Sequence, residues 1–212
     1  MIRDKMESKE GQSEIVAGDI VILPHDEITE EAISLNRRIL DAPFRLSGTD
    51  FLPHITLAMA YMDLKGVFSE VERMAGQSRP FNIVLDRVSY KDMDPAWGGG
   101  KYQSSWDVEE SGDLLDLHQR LVRDLPRIDF SGRTGQLFVD EDQVSQTVVE
   151  YVRDFRSKHS GKNYWPHITL GNGDNGLEQH LRKEFVCSEI VLAQLGNFCT
   201  VRKILGRFKL GV

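Results

Sequence analysis

Cysteine is nearly absent from this chain of 212 residues: only Cys187 and Cys199 are present. Neither belongs to a CxxC pair or a histidine-rich cluster, which excludes the usual structural zinc scaffolds. With a hairpin turn at Gly196-Asn197, Cys199 falls opposite roughly residue 194 rather than Cys187, so no disulfide is expected. Two unpaired thiols fit a reducing cytoplasm. Long apolar runs are missing as well, and with them a membrane span. The stretch from Met1 to Gln12 is polar and mixed in charge, without the apolar centre of a signal peptide. Residues 1–14 read as a disordered leader, and 15–212 as one domain. A basic excess is lacking too: 26 Lys and Arg stand against 33 Asp and Glu, a formal charge of −7. Such a chain repels long polyanions, so duplex DNA is not an expected partner. A small phosphorylated ligand is still compatible, because a local cluster of donors outweighs net charge at short range.

What is there suffices for a sizeable core, at 40% hydrophobic residues. Gly18-Asp19 leads into the apolar run Ile20-Val21-Ile22-Leu23, a strand stopped by Pro24, with Thr29 as the cap of a following helix. A second helix is expected over Gly66–Met74, strands from Phe81 and over Tyr102–Val108, and a helix over Asp113–Leu125. The later half reads as a strand at Gly135–Val139, a helix at Gln143–Lys158, a Gly/Asn loop at Gly171–Gly176 and a short helix at Leu177–Glu184. Glu189–Leu195 and Phe198–Leu210 close it as a hairpin. Two similar halves in sequence order, with partly antiparallel pairing, indicate an α+β fold.

One pentapeptide occurs twice, half the chain apart: Pro-His-Ile-Thr-Leu at Pro53–Leu57 and at Pro166–Leu170. On strands spanning residues 51–60 and 164–171, His and Thr at i, i+2 share a face while the apolar residues face the other way. Each proline, lacking an N–H, marks a strand start or an edge. Two such strands side by side gather two imidazoles and two hydroxyls. Imidazole, with an unperturbed pKa of about 6.5, gives or takes a proton near neutral pH. One neutral and one protonated imidazole on opposite sides of a phosphate serve as general base and general acid, each worth typically ~10²–10⁴ in rate. Thr hydroxyls donate to the non-bridging oxygens where charge gathers. The catalytic candidates are therefore His54, His167, Thr56 and Thr169, with no metal required. Pseudosymmetry leaves open which His is acid and which base.

These motifs and their surroundings resemble the two-histidine (2H) phosphoesterase superfamily, in particular its LigT-like branch of 2′-5′ RNA ligases and cyclic phosphodiesterases. The resemblance runs from the Ile20–Pro24 strand to the closing Val186–Leu210 hairpin. The family signature, His-x-Thr or His-x-Ser with an apolar middle residue once per lobe, stands here as His54-Ile55-Thr56 and His167-Ile168-Thr169. It implies a bilobal pseudo-twofold fold, with two mainly antiparallel sheets and flanking helices around a central cleft. It also implies metal- and cofactor-free chemistry on 2′,3′-cyclic phosphates or 2′-5′ linkages of a small nucleotide or RNA terminus. A ligase needs only the same residues run in reverse. A non-catalytic nucleotide-binding module and a metal protein using both histidines are the rival classes.

Further candidates carry two readings each. Trp165 shares a strand face with His167 and is either a base-stacking ring or a rim aromatic. Lys162 reaches a phosphate or is a solvated loop lysine. Lys101 and Tyr102 follow the triple glycine Gly98-Gly99-Gly100, which is either a lid or a plain connection. His118, on its helix but off the leucine stripe, is expected at the surface, as are His25, His159 and His180. Arg202, Lys203, Arg207 and Lys209 are expected on a solvated face. A monomer is expected, since both half-cores are buried within one chain.

Overall fold

Strand pairing, more than chain order, organises this molecule. In the computed structural model, residues 14–128, 137–139 and 143–211 are described. The expected leader, up to residue 13, lies outside them. The strands are β1 (Ile15–Ile22), β2 (Ile55–Asp63), β3 (Phe81–Asp92), β4 (Tyr102–Val108), β5 (His167–Gly173), β6 (Gln179–Cys187), β7 (Glu189–Leu195) and β8 (Val201–Lys209). The helices are α1 (Asp26–Arg37), α2 (Leu64–Gly76), α3 (Gly112–Asp124) and α4 (Gln146–Lys158). The strands lie in the order β6-β3-β4-β5-β2-β1-β7-β8, and every recorded pairing is antiparallel. The chain thus has the antiparallel α+β architecture the sequence implied, with one continuous eight-stranded sheet where two sheets were expected.

Two four-stranded halves meet in this sheet, and the junction is narrow: β2 and β5 pair through Ile55 and Ile168 alone. The first motif belongs to the half completed by the closing hairpin β7–β8, and the second to the half built on β3, β4 and β6. The two halves are therefore interleaved along the chain, where a sequential arrangement was expected. Residues 177–184, expected as a helix, belong largely to β6. Every second residue of β6 up to Glu184 is exposed, and the strand pairs along β3 at the sheet edge. That solvated edge leaves few apolar positions to betray a strand. Of the expected strand at 135–139, residues 135 and 136 lie outside the described residues, and Leu137–Val139 form a short turn.

Helix ends follow local capping chemistry. Asp63, Ser111 and Ser145 accept from the backbone N–H two or three residues on, at the starts of α2, α3 and α4. Thr29 does not cap α1. The helix begins at Asp26, and the Thr29 hydroxyl instead donates back to Pro24 O at 3.2 Å.

Two apolar clusters use the two faces of the sheet. Ile20, Ile55, Leu57, Ile168 and Leu170 pack with α1, α2 and α3 on one side. Ala17, Val21, Met59 and Tyr61 pack with Val148, Val152 and Phe155 of α4 on the other. A bulge lies at the leucine of each motif. The β1–β2 register slips between Ile20–Ala58 and Val21–Thr56, and the β4–β5 register between Ser104–Gly171 and Ser105–Thr169. Leu57 and Leu170 are the unpaired residues, and such bulges re-aim the chain beside a site.

Each bulge carbonyl is taken by a buried side chain. His118 Nδ1–H donates to Leu57 O at 2.7 Å, and Asn36 Nδ2 donates to Leu170 O at 2.7 Å. This corrects the surface placement of His118, which is 1% exposed and stacks on Tyr164 with ring centres 3.6 Å apart. Gly171 makes the Asn36 contact possible. Its φ of +148° disfavours other residues, and a Cβ there would lie 2.9 Å from Asn36 Nδ2.

Candidate active site

The two motifs face one cavity of about 490 Å³ at the β2–β5 junction. Ile55 and Ile168 point into the core and are fully buried, so the residues on either side of each point the opposite way. Continuing the Ile55–Ile168 register by one residue sets His54 across from Thr169 and Thr56 across from His167. The two histidines are then diagonal neighbours, a relation that sets residues about 7–8 Å apart, with Cβ atoms somewhat closer. That spacing lets two imidazoles flank one phosphate. Alternation within the motif and a single bridge between strands are enough to build the arrangement.

Both imidazoles are set the same way. His54 Nδ1–H donates to Leu52 O and His167 Nδ1–H to Trp165 O, each at 2.8 Å. A carbonyl only accepts, so these bonds place the proton of each neutral ring on Nδ1 and leave Nε2 as the acceptor. His167 Nε2 takes hydrogen bonds from Gln103 Nε2 at 3.2 Å and Thr169 Oγ1 at 3.1 Å. Burial lowers the pKa of His54, and lowers that of His167 to about 4; the backbone carbonyls oppose this in part. Both rings are therefore neutral near pH 7.

Around them, Tyr164 is packed as core, its hydroxyl donating to Thr56 O at 2.8 Å and tying the lead-in of β5 to the first motif. Trp165 lines the cavity, with its ring against His167 at 4.0 Å and Lys91 Nζ 3.7 Å from its centre. Trp97 also lines the cavity, whereas Trp106 is fully buried packing. His159 caps α4 at the cavity wall, stacked on Tyr151 at 4.1 Å.

Lys162, Lys101 and Tyr102 are not among the residues lining the cavity. Lys162 sits in an exposed turn at Gly161–Asn163, Lys101 is exposed, and Tyr102 packs on Tyr90 away from the motifs. Behind the triple glycine, Gly99 lies against Pro43 and Gly100 against the Gly173 backbone, and Lys101 N–H donates to Gly173 O at 2.9 Å. Those contacts fasten the connection to the sheet. Sequence reasoning passed over Lys91, Gln103 and Asp19. Lys91 and Gln103 reach the site only because β3 and β4 pair beside β5, a long-range fact. Asp19 had a local signal: an acidic residue inside an otherwise apolar strand. Among the described residues, no group of three or more His, Cys, Asp or Glu is arranged to hold a metal ion. Nor is any described helix long and apolar enough to cross a membrane. Cys187 and Cys199 are free and buried.

No family model and no curated protein sequence matches the chain. Solved structures do. E. coli LigT complexed with NADP+ aligns over 94% of this chain and 100% of its own, with a TM-score of 0.57 at 15% identity. E. coli LigT complexed with 3′-AMP aligns over 93% and 99%, with a TM-score of 0.54 at 15% identity. A protein described as a phosphoesterase aligns over 93% and 99%, with a TM-score of 0.56 at 13% identity. The likeness is one of fold, and it extends along nearly the whole of each chain. It agrees with the LigT-like resemblance read from the paired motifs.

Proposed function

We propose that the chain is a two-histidine phosphoesterase that opens a 2′,3′-cyclic phosphate or cleaves a 2′-5′ phosphodiester of a small nucleotide or RNA end. The observation that carries this reading is the junction itself: two His-Ile-Thr motifs on adjoining strands, with both Nε2 atoms free of backbone bonds and turned to one cavity. The fold shared with LigT and a phosphoesterase supports it. LigT structures holding 3′-AMP and NADP+ point to a nucleotide of that size as the kind of ligand to test here.

In this mechanism the phosphoryl group sits between the imidazoles. One neutral Nε2 takes the proton of the attacking water, and the other, protonated, delivers its proton to the leaving oxygen. The anionic phosphodiester supplies the countercharge that lets one buried imidazole protonate. Thr56 and Thr169 hydroxyls donate to the non-bridging oxygens. Lys91, held at the rim over Trp165, adds positive charge near His167 and is the basic residue best placed to meet a second phosphate of the substrate. Trp165 serves the substrate as a wall of the cavity rather than an open stacking platform, since His167 and Lys91 already engage its ring. Lys162, Lys101 and Tyr102 enter only for a substrate that extends beyond the cavity. One chain supplies both motifs, which supports a monomeric enzyme, and the free buried thiols suit a reducing cytoplasm.

Turnover of a 2′,3′-cyclic nucleotide by the parent chain, lost in both His54→Ala and His167→Ala with binding retained, is the expected result. Binding without turnover in the parent contradicts the reading.

A further inference from the structure

Behind the first motif lies a carboxyl that the chemistry above does not use. Asp19 stands mid-way along β1, paired with Met59 of β2 and Ala193 of β7, and is fully buried. Its Oδ2 is 2.8 Å from Thr56 Oγ1 and 3.9 Å from His54 Nε2. Its Oδ1 is buried with no hydrogen-bond partner. The second motif is wired differently. Thr169 donates to His167 Nε2, and the carboxylate that acts on His167, Asp107, is engaged by Ser89, Ser105 and Arg87.

An ionised Asp19 would place charge beside a fully buried oxygen that no protein group donates to, a state that costs several kcal/mol. It would also lock Thr56. A carboxylate only accepts, so the Thr56 proton would have to point at Asp19 and away from the cavity. A neutral carboxylic acid reverses the bond. The Oδ2–H then donates to Thr56 Oγ1, and the Thr56 proton is free to turn to a ligand.

We propose that Asp19 is a positioning residue held as a neutral acid, and that its proton frees the Thr56 hydroxyl to bind the phosphoryl group. This rests on the reading of the cavity as a phosphoesterase site, but it concerns anion binding and does not need turnover. Burial is the larger cause pushing the Asp19 pKa well up, with the Thr56 bond opposing it. The groups facing Asp19 from other elements are neutral acids too. Tyr151 of α4, Tyr164 before β5 and Cys199 before β8 all have their pKa values raised, chiefly by burial, with a smaller push from Asp19. His54 is neutral above the ordinary histidine range. When Asp19 loses its proton at alkaline pH, Thr56 swings to the carboxylate and the anion loses a donor.

Sulfate, whose charge is constant over this range, is the probe. Its dissociation constant is measured by NMR titration from pH 6 to 10 for the parent, Asp19→Asn, Thr56→Val and the double variant, with circular dichroism to confirm folding. The Asn amide keeps a donor to Thr56 Oγ1 and cannot ionise. The expected result is that parent and Asp19→Asn agree within about threefold at pH 6, where the Thr56 donor is free in both. On the alkaline side the parent weakens about tenfold more than Asp19→Asn, and in the Thr56→Val background the Asp19 substitution changes nothing. Asp19→Asn binding about tenfold tighter at pH 6 overturns the proposal, because Thr56 would then have been locked by a carboxylate. Identical pH profiles overturn it, as does an Asp19 effect that survives Thr56→Val, or a parent that does not bind sulfate. A parent that shows the predicted sulfate profile yet turns over no cyclic nucleotide sinks the enzymatic reading and leaves this proposal standing.

Discussion

Replacing His167 with Asn removes a titrating group whose cost to the fold can be worked out. In the folded chain His167 takes up a proton near pH 4, because burial disfavours the imidazolium, whereas the unfolded value is 6.5. Between those values the unfolded chain holds the extra proton, so acid drives unfolding. Stability is full above about pH 6.5 and declines until the folded pKa is passed. At about 1.4 kcal/mol per unit, the full effect is on the order of 3 kcal/mol, of which about 2 kcal/mol is lost between pH 7 and pH 4.5. Urea unfolding at those two pH values gives the measurement. The parent should lose about 2 kcal/mol more than His167→Asn over the span, with contributions from His118 and His159 cancelling in the comparison. Equal losses in the two proteins would refute the claim that His167 is a buried neutral base.

Three other substitutions test the supports of the site. His118→Ala leaves the Leu57 carbonyl and the Gly161 N–H without the partners that His118 gives them, and should cost about 2–3 kcal/mol by thermal or urea denaturation. Gly171→Ala must hold a φ of +148° with its Cβ 2.9 Å from Asn36 Nδ2. A loss of about 1–3 kcal/mol in unfolding free energy, with cyclic-nucleotide kcat reduced by displacement of Thr169, is the expected outcome. Lys91→Ala should raise KM for a phosphorylated substrate about tenfold with a smaller change in kcat, read from steady-state kinetics, because its charge sits at the rim and not on the reacting atoms.

The candidate site was legible in the chain because its information is local. A period of two puts His and Thr on one face and Ile and Leu on the other, and the structure keeps that alternation through His54–Leu57 and His167–Leu170. The leucine stripe of α3 and the closing hairpin were readable for the same reason. What failed to show was long-range. That the halves interleave depends on β1 joining β7, which places the continuous run β3–β6 between the two parts of the other half. His118 looked like a surface residue because its partners, Leu57 O and Gly161 N–H, lie far along the chain in either direction. The bulges that free the Leu57 and Leu170 carbonyls leave no mark in composition. β6 lacked an apolar pattern because an edge strand with one face in solvent needs few apolar residues.

The central claim is that His54 and His167 act as a pair on one phosphorus. It is tested most directly by the rate of 2′,3′-cyclic nucleotide opening in the parent, His54→Ala, His167→Ala and the double variant, each with and without a strong chelator. The account predicts parent turnover that the chelator leaves unchanged. Each single variant should fall at least about a hundredfold, and the double variant should fall little further, because the two groups act as a unit. Full activity in either single variant, or activity abolished by the chelator, would contradict it.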